Sequence, residues 1–290
     1  MTARLLAARP AVEKIKIDLA LRCESLKQKG VTPSMSVILV GENPASLSYI
    51  RNKRKICEEV GGKFALHQLP VDISTEAFLA EVKKLNIDKT VHGIIIQLPV
   101  PNQLKHLNIA DLVIAEKDID GFHGENTKKL YEGTTDMKLL LPCTPKGIIA
   151  LLKYYDVPIA GQDVVVIGRS LIVGKPVSML LSNMHATVTI AHSKTKDLKS
   201  YTRKADIVIA AVGIPNFLKA SHFDPATKTT VIDVGINSVD GKLCGDVDLK
   251  DCENVVDSIS PVPGGVGPMT VVSLIENMIT ACEAQLKGKV

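Results

Sequence analysis

From Val12 the apolar residues Ile15, Leu19, Cys23 and Leu26 return every three to four positions, which predicts an amphipathic helix closed by Gly30 in a left-handed turn. Met35 to Val40 is a short apolar run ending in Gly41, and Asn43-Pro44 then places a capping side chain ahead of a proline suited to the first helical position. A strand therefore feeds a second helix, which Gly61 ends. The alternation continues with a strand over Phe64 to Leu69, a helix from Thr75 to Leu85 and a strand over Val91 to Leu98. Its centre, Gly93-Ile94-Ile95-Ile96, is apolar on both faces, as in parallel sheets covered by helices on each side. The first half reads as α/β.

After Pro142, Thr144-Pro145 reads as another cap-plus-proline start, leading a helix to Tyr155. Four apolar runs follow, Val164 to Ile167, Thr187 to Ala191, Ile207 to Val212 and Thr230 to Val234, each separated by enough chain for a helical crossover. This alternation predicts a doubly wound parallel sheet. A Pro/Gly-rich turn over Pro261 to Pro268 precedes a last helix from Val271. The expected organisation is two α/β domains, an N-terminal one over 1–140, with the helix 270–290 packing back on it, and a Rossmann-like one over 141–269.

Length agrees, since 290 residues at about 150 per domain make two domains. With 46% hydrophobic and 23% charged residues the composition excludes a disordered or fibrous chain. A formal charge of +4 without long like-charge runs does not specify nucleic acid, and the absence of Trp leaves little surface on which to stack bases. No apolar run approaches the roughly 18 residues of a membrane span. The six cysteines show neither C-x-x-C pairs nor zinc spacing and read as reduced thiols, so no metal is expected. Arg4 and Arg9 around Leu5 and Leu6 read as part of the fold rather than a leader, a cleaved transit peptide being the alternative; the cytoplasm is the expected location.

Four stretches carry candidate chemistry. Val164 to Ile167 runs into Gly168-Arg169-Ser170-Leu171-Ile172-Val173-Gly174-Lys175-Pro176, a glycine-bounded turn whose backbone N-H groups and helix dipole suit phosphate. It departs from G-x-G-x-x-G, so a plain strand-to-helix turn stays open. The next strand ends in His192-Ser193-Lys194-Thr195 where NAD sites carry an acid; with Arg169 this suits a 2′-phosphate and favours NADP, a solvated surface Ser-Lys pair being the alternative. In the first half Tyr49 and Lys53 share a helix face, for the pair alone as readily a solvated face as an active site, and Gln97 puts an amide at the carboxyl edge of the same sheet, within reach of Lys53. Lys117-Asp118-Ile119-Asp120-Gly121 places two carboxylates before a glycine, either an Asx turn or an acceptor for paired N-H groups of a heterocycle. Pro261-Val262-Pro263-Gly264-Gly265-Val266-Gly267-Pro268-Met269-Thr270 combines fixed φ with close backbone approach, for a ligand wall or a rigid interdomain connector.

Taken in order, Tyr49-x-x-x-Lys53, Gln97-Leu98-Pro99, Lys117 to Gly121, Pro142-Cys143-Thr144-Pro145, Gly168-Arg169-Ser170 and Pro261 to Thr270 closely resemble the methylenetetrahydrofolate dehydrogenase/methenyltetrahydrofolate cyclohydrolase family, over nearly the whole chain. The resemblance implies NADP-dependent oxidation of 5,10-methylenetetrahydrofolate, then hydrolysis of the 5,10-methenyl cation to 10-formyltetrahydrofolate, in a cleft between the domains. By the same resemblance Lys53 is the principal catalytic group of hydrolysis, Gln97 orients it, Tyr49 packs on the folate and Asp120, more than Asp118, binds the pterin. A cationic substrate beside an amine favours the neutral amine, the form that takes a proton. Leu98 and the segment Pro263, Gly264, Gly265, Val266, Gly267, Pro268, Met269, Thr270 and Val271 would line the folate site. Gly168, Arg169, Ser170, Ser193 and Ile236 would hold NADP. The resemblance further implies a homodimer, folate substrates carrying polyglutamate tails, and a length matching the dehydrogenase/cyclohydrolase unit without a synthetase domain. The family's usual Asp-Gly-Lys before the first helix is Ala7-Ala8-Arg9 here, and Lys128 replaces a usual glycine. Competing readings are another two-domain NADP-dependent dehydrogenase, such as one acting on shikimate, and a silent folate or NADP binder.

Overall fold

The computed structural model, which describes residues 2–288, runs through β1 (Arg4–Leu5), α1 (Ala8–Gln28), β2 (Ser34–Val40), α2 (Pro44–Glu59), β3 (Lys63–Leu69), α3 (Thr75–Ile87) and β4 (Gly93–Ile96). Short 3-10 turns lead to α4 (Gly124–Tyr131) and α5 (Cys143–Tyr154). The second half holds β5 (Asp163–Ile167), α6 (Gly174–Asn183), β6 (Thr187–Ala191), α7 (Leu198–Thr202), β7 (Ile207–Ala210) and β8 (Thr230–Asp233). It ends with β9 (Asn237–Val239), β10 (Lys242–Cys244), α8 (Leu249–Cys252), β11 (Ser258–Ile259) and α9 (Val266–Lys287).

Two compact units result. One comprises Lys14–Lys129, Asp136–Cys143 and the chain from Val271 onward. Its parallel sheet has the order β3-β2-β4, and central β2 is buried at all seven positions, Ser34 and Ser36 included, which is why its stretch 37–40 is apolar without a break. Val37 sits opposite Leu66 on one side and Ile95 on the other. Phe78, Val82 and Leu85, at helical spacing on α3, pack with Ile38, Val40, Ile94 and Ile96 into one core cluster. Burying each such side chain stabilises by about 1.5–3 kcal/mol. Asn43 caps α2 as its residue type predicts, its side chain accepting from Ser46 N at 3.1 Å. On α9, Glu283 receives both Nε and Nη2 of Arg22 on α1, at 3.0 and 2.9 Å.

The other unit comprises the residues up to Glu13, Leu130–Thr135 and Thr144–Thr270. Its six strands are all parallel, in the order β1-β11-β8-β7-β5-β6. From β5 the chain winds to β6 on one side and returns to β7 on the other. Crossovers that diverge in this way open a crevice at the carboxyl ends of β5 and β7, where ligands of doubly wound sheets bind. Val165, Ile167, Val208, Ala210 and Val231 pack beneath it with Leu218, Phe223 and Ile259.

Several boundaries differ from the sequence reading. The first residues join the six-stranded sheet, because Arg4 pairs with Ser258 and Leu5 with Ile259. α9 starts at Val266, so half of the Pro/Gly-rich stretch is helix rather than turn. α5 starts at Cys143, leaving Thr144 inside the first turn instead of capping it. Among the described residues no helix is long and apolar enough to cross a membrane and no side-chain cluster could hold a metal. All six cysteines are free, and all but Cys244 are buried.

Candidate active site

The proline and Asn43 that start α2 aim it away from the carboxyl end of β2, and Tyr49 and Lys53 follow one turn apart on it. Lys53 is half-buried, and its Nζ donates to Gln97 Oε1 at 3.0 Å. Gln97 extends β4 by donating its backbone N-H to Ile38 O, and its Nε2 donates to Leu98 O at 3.0 Å. Both ends of the amide are thus fixed, with the oxygen toward Lys53. Tyr49 is 40% exposed, and partial burial holds its phenol above the ordinary value. Leu98, next to Gln97 in sequence, is exposed and precedes Pro99 in a cis peptide.

The two carboxylates that the sequence left open have different tasks. Asp118 is buried and saturated: Oδ1 accepts from Gly121 N, and Oδ2 from His123 N and Asn126 Nδ2, at 2.8–3.0 Å. It builds the turn. Asp120 accepts no hydrogen bond among the described residues, and burial pushes its carboxyl up to about 6, against the pull of Lys53 and with a smaller push from Asp118. A half-buried acceptor beside a lysine is what paired N-H donors of a heterocycle require. Lys117 is structural, its ammonium buried and donating to Leu85 O and Asp88 O.

Two features that the sequence did not reveal hold Asp120. Gly121 has φ +78, and a Cβ there would lie 2.3 Å from the Leu141 carbonyl carbon. Asn277 of α9, fully buried, donates to Ile119 O at 2.9 Å and Leu141 O at 2.8 Å, tying the two sides of that contact. An amide in the middle of an apolar helical face was the available signal.

In the six-stranded unit Gly168 follows β5 with φ +122, and a Cβ would lie 2.2 Å from Ala211 O after β7; one on Gly174 would lie 2.2 Å from Gly168 O. Only glycines let the turn close this tightly over the crevice, the arrangement that brings backbone against a pyrophosphate. The anion reading of the α6 N-terminus changes in detail. Ser170 Oγ accepts from Val173 N and Gly174 N, and Ser170 O from Lys175 N, so these donors are engaged within the turn. Arg169, Ser170, Ser193 and Lys194 are exposed, and Thr195 Oγ1 accepts from His192 N to shape the loop after β6. A cationic and hydroxyl rim without an acid fits a nucleotide bearing a 2′-phosphate. Ile236, after β8, is half exposed.

Within the stretch from Pro263 to Val271, Pro263 and Gly264 are exposed, and Gly264 O accepts from Ala8 N. Gly265 is buried, a Cβ there lying 2.5 Å from Pro261 O, and the Val266, Met269 and Val271 side chains are buried as well. A Cβ on Gly147 would lie 2.9 Å from the Met269 backbone, so α5 and α9 touch there. Thr270 Oγ1 bonds Thr144 Oγ1 at 3.1 Å. Gly267 and Pro268 are half-buried, and a Cβ on Gly267 would come 3.9 Å from Ile236.

Residues 6–120 match the tetrahydrofolate dehydrogenase/cyclohydrolase catalytic domain, and residues 142–286 match the NAD(P)-binding domain of the same family. The chain belongs to the tetrahydrofolate dehydrogenase/cyclohydrolase family. A bifunctional protein FolD from Halalkalibacterium halodurans is 46% identical over 283 residues, 98% of this chain and all of that one. A solved bifunctional FolD from Campylobacter jejuni superposes with a TM-score of 0.92 at 43% identity, covering 97% of this chain and 99% of that one. The Trypanosoma brucei FolD, solved with NADP and an inhibitor, gives 0.91 at 33% identity over 99% of each. Family membership separates the chain from shikimate dehydrogenases.

Proposed function

We infer that the chain is a bifunctional enzyme of one-carbon metabolism that supplies purine biosynthesis: it oxidises 5,10-methylenetetrahydrofolate with NADP, then hydrolyses the methenyl product to 10-formyltetrahydrofolate. The observation that carries the reading is the Lys53–Gln97 hydrogen bond of 3.0 Å, with Asp120 beside it. When bound, NADP supplies the hydride acceptor; the chain contributes orientation and exclusion of water. Asp120 accepts the amino and ring N-H groups of the pterin, and Tyr49 packs along the ring system. For hydrolysis, water adds to the methenyl carbon and its proton passes to Lys53. Gln97 Oε1 engages one N-H of Lys53, so the lone pair of the neutral amine is aimed elsewhere, toward the incoming water. The ammonium so formed returns the proton to N5 as the N5–carbon bond breaks, and the remaining hydroxyl proton of the addition product passes to solvent as its oxygen becomes the formyl carbonyl.

The folate site is assigned to Tyr49, Lys53, Gln97, Leu98, Asp120 and the exposed part of Pro263 to Val271, and the NADP site to Gly168, Arg169, Ser170, Ser193 and Ile236. The enzyme is a cytoplasmic homodimer whose substrates carry polyglutamate tails, for which a net +4 chain is electrostatically suited.

A spectrophotometric assay with 5,10-methylenetetrahydrofolate, reading NADPH and methenyl absorbance together and running NADP beside NAD, tests the reading. NADP-dependent hydride transfer with little methenyl accumulating is expected. Absence of turnover with either cofactor would leave a silent binder. Sedimentation equilibrium checks the dimer.

A further inference from the structure

Asp246 lies outside every motif that the functional reading uses, in the loop between β10 and α8, and is fully buried. Its carboxylate gathers donors from the loop after β7 and from the first residue of β9. Oδ2 accepts from Val212 N at 2.7 Å and Gly213 N at 3.0 Å; Oδ1 accepts from Ile214 N at 3.0 Å and from Asn237 Nδ2 at 2.9 Å. Three consecutive backbone N-H groups turned to one point form a concavity that needs an anion, and here the chain supplies its own. The loop they belong to leaves β7 at the crevice, opposite Gly168, and Asn237 directly follows Ile236.

The carboxylate is itself held. Asp233, at the end of β8, accepts from Asp246 N and Gly235 N with Oδ1 and from Val247 N with Oδ2, at 2.9–3.0 Å. Glycine is required on both flanks: a Cβ on Gly235 would lie 2.2 Å from Asp246 Oδ1, and one on Gly245 would lie 1.8 Å from Asp233 Oδ2. The end of β8 thus fixes Asp246, and Asp246 fixes the loop 212–214 and residue 237. Gly213 and Ile214 are exposed on the far side of that loop. With every lone-pair direction engaged by a donor, the charge acts through geometry and not by facing solvent or ligand.

We propose that Asp246 is a positioning residue of the cofactor site, shaping the floor of the β5/β7 crevice by clamping the loop 212–214 and the Ile236–Asn237 turn to each other. The proposal rests on the NADP reading of Gly168, Arg169 and Ile236. Because the two activities differ in their need for NADP, the enzyme contains its own control. Asp246→Asn keeps the shape but turns an NH2 toward N-H donors. It should raise the KM for NADP at least tenfold, while hydrolysis of methenyltetrahydrofolate supplied directly stays within twofold. Asn237→Ala removes one donor of four and should raise the same KM two- to fivefold; it decides the matter if Asp246→Asn does not fold. Arg169→Ala, run in parallel, tests the NADP reading. If Arg169→Ala raises the NADP KM and neither Asp246→Asn nor Asn237→Ala does, the proposal is overturned and the reading stands. If none of the three changes it, both fall. Equal loss of oxidation and hydrolysis in Asp246→Asn and Asn237→Ala would make Asp246 merely structural and overturn the proposal.

Discussion

Asp118 and Asp120 are two residues apart, yet one spends every acceptor on its own turn and the other spends none. That contrast makes Asp120 titrate in a useful range. With its carboxyl raised to about 6 by burial, it is a charged acceptor above that pH and a neutral acid below. The KM for folate is therefore expected to rise as pH falls from 7 to 5, and steady-state kinetics on Asp120→Asn should show a raised KM that no longer depends on pH across that interval. Lys53 makes the complementary prediction. Lys53→Met removes the proton acceptor and should slow methenyl hydrolysis by about 10²–10⁴-fold, while folate binding, measured by fluorescence titration, changes far less. Equal loss of both would refute a role in proton transfer.

At the level of elements, the glycines of the two turns are the sensitive points. Gly168→Ala forces a Cβ against Ala211 O at a φ of +122, so a loss of at least about 1–3 kcal/mol in urea denaturation, with a raised NADP KM, is expected. Asn277→Ala leaves the Leu141 carbonyl without its donor and the Ile119 carbonyl with only the weak Cys143 thiol at 3.1 Å. Each unsatisfied buried group costs about 1–3 kcal/mol, and the same variant should weaken folate binding because Asp120 is adjacent. How much of this was legible in the sequence follows from what each element depends on. β2, β4, β5 and β7 were readable because burial on both faces leaves runs such as Gly93–Ile96 and Ile207–Ala210 without polar residues. β1 and β11, two residues each, are strands only through their partners and carry no local pattern. The β9–β10 hairpin carries a local signal in Asp240-Gly241, which at φ +50 and +75 forms a two-residue turn. Among site residues, Lys53 and Gln97 were placed together by helix and strand spacing. Asp246 is invisible in the sequence, because a buried polar side chain is meaningful only once its donors from distant loops have gathered around it, whereas Asn277 shows only as an amide on an apolar helical face with nothing to name its partners.

For the whole molecule, the NADP reading predicts a stability response, since a ligand that binds only the folded chain raises its apparent stability. NADP at a hundred times its dissociation constant should add about 2.7 kcal/mol to the unit that binds it, and NAD at the same concentration less. Differential scanning fluorimetry with the two nucleotides in parallel checks this, and equal midpoints would count against a 2′-phosphate site.

The pairing of Arg4 with Ser258 and Leu5 with Ile259 has a temporal meaning as well. Residues 4 and 5 leave the ribosome before the strand that receives them exists, for that strand is made some 250 residues later. Until then these residues wait without their strand partner, so the six-stranded sheet is sealed at that edge only by the joining of segments some 250 residues apart in order of synthesis.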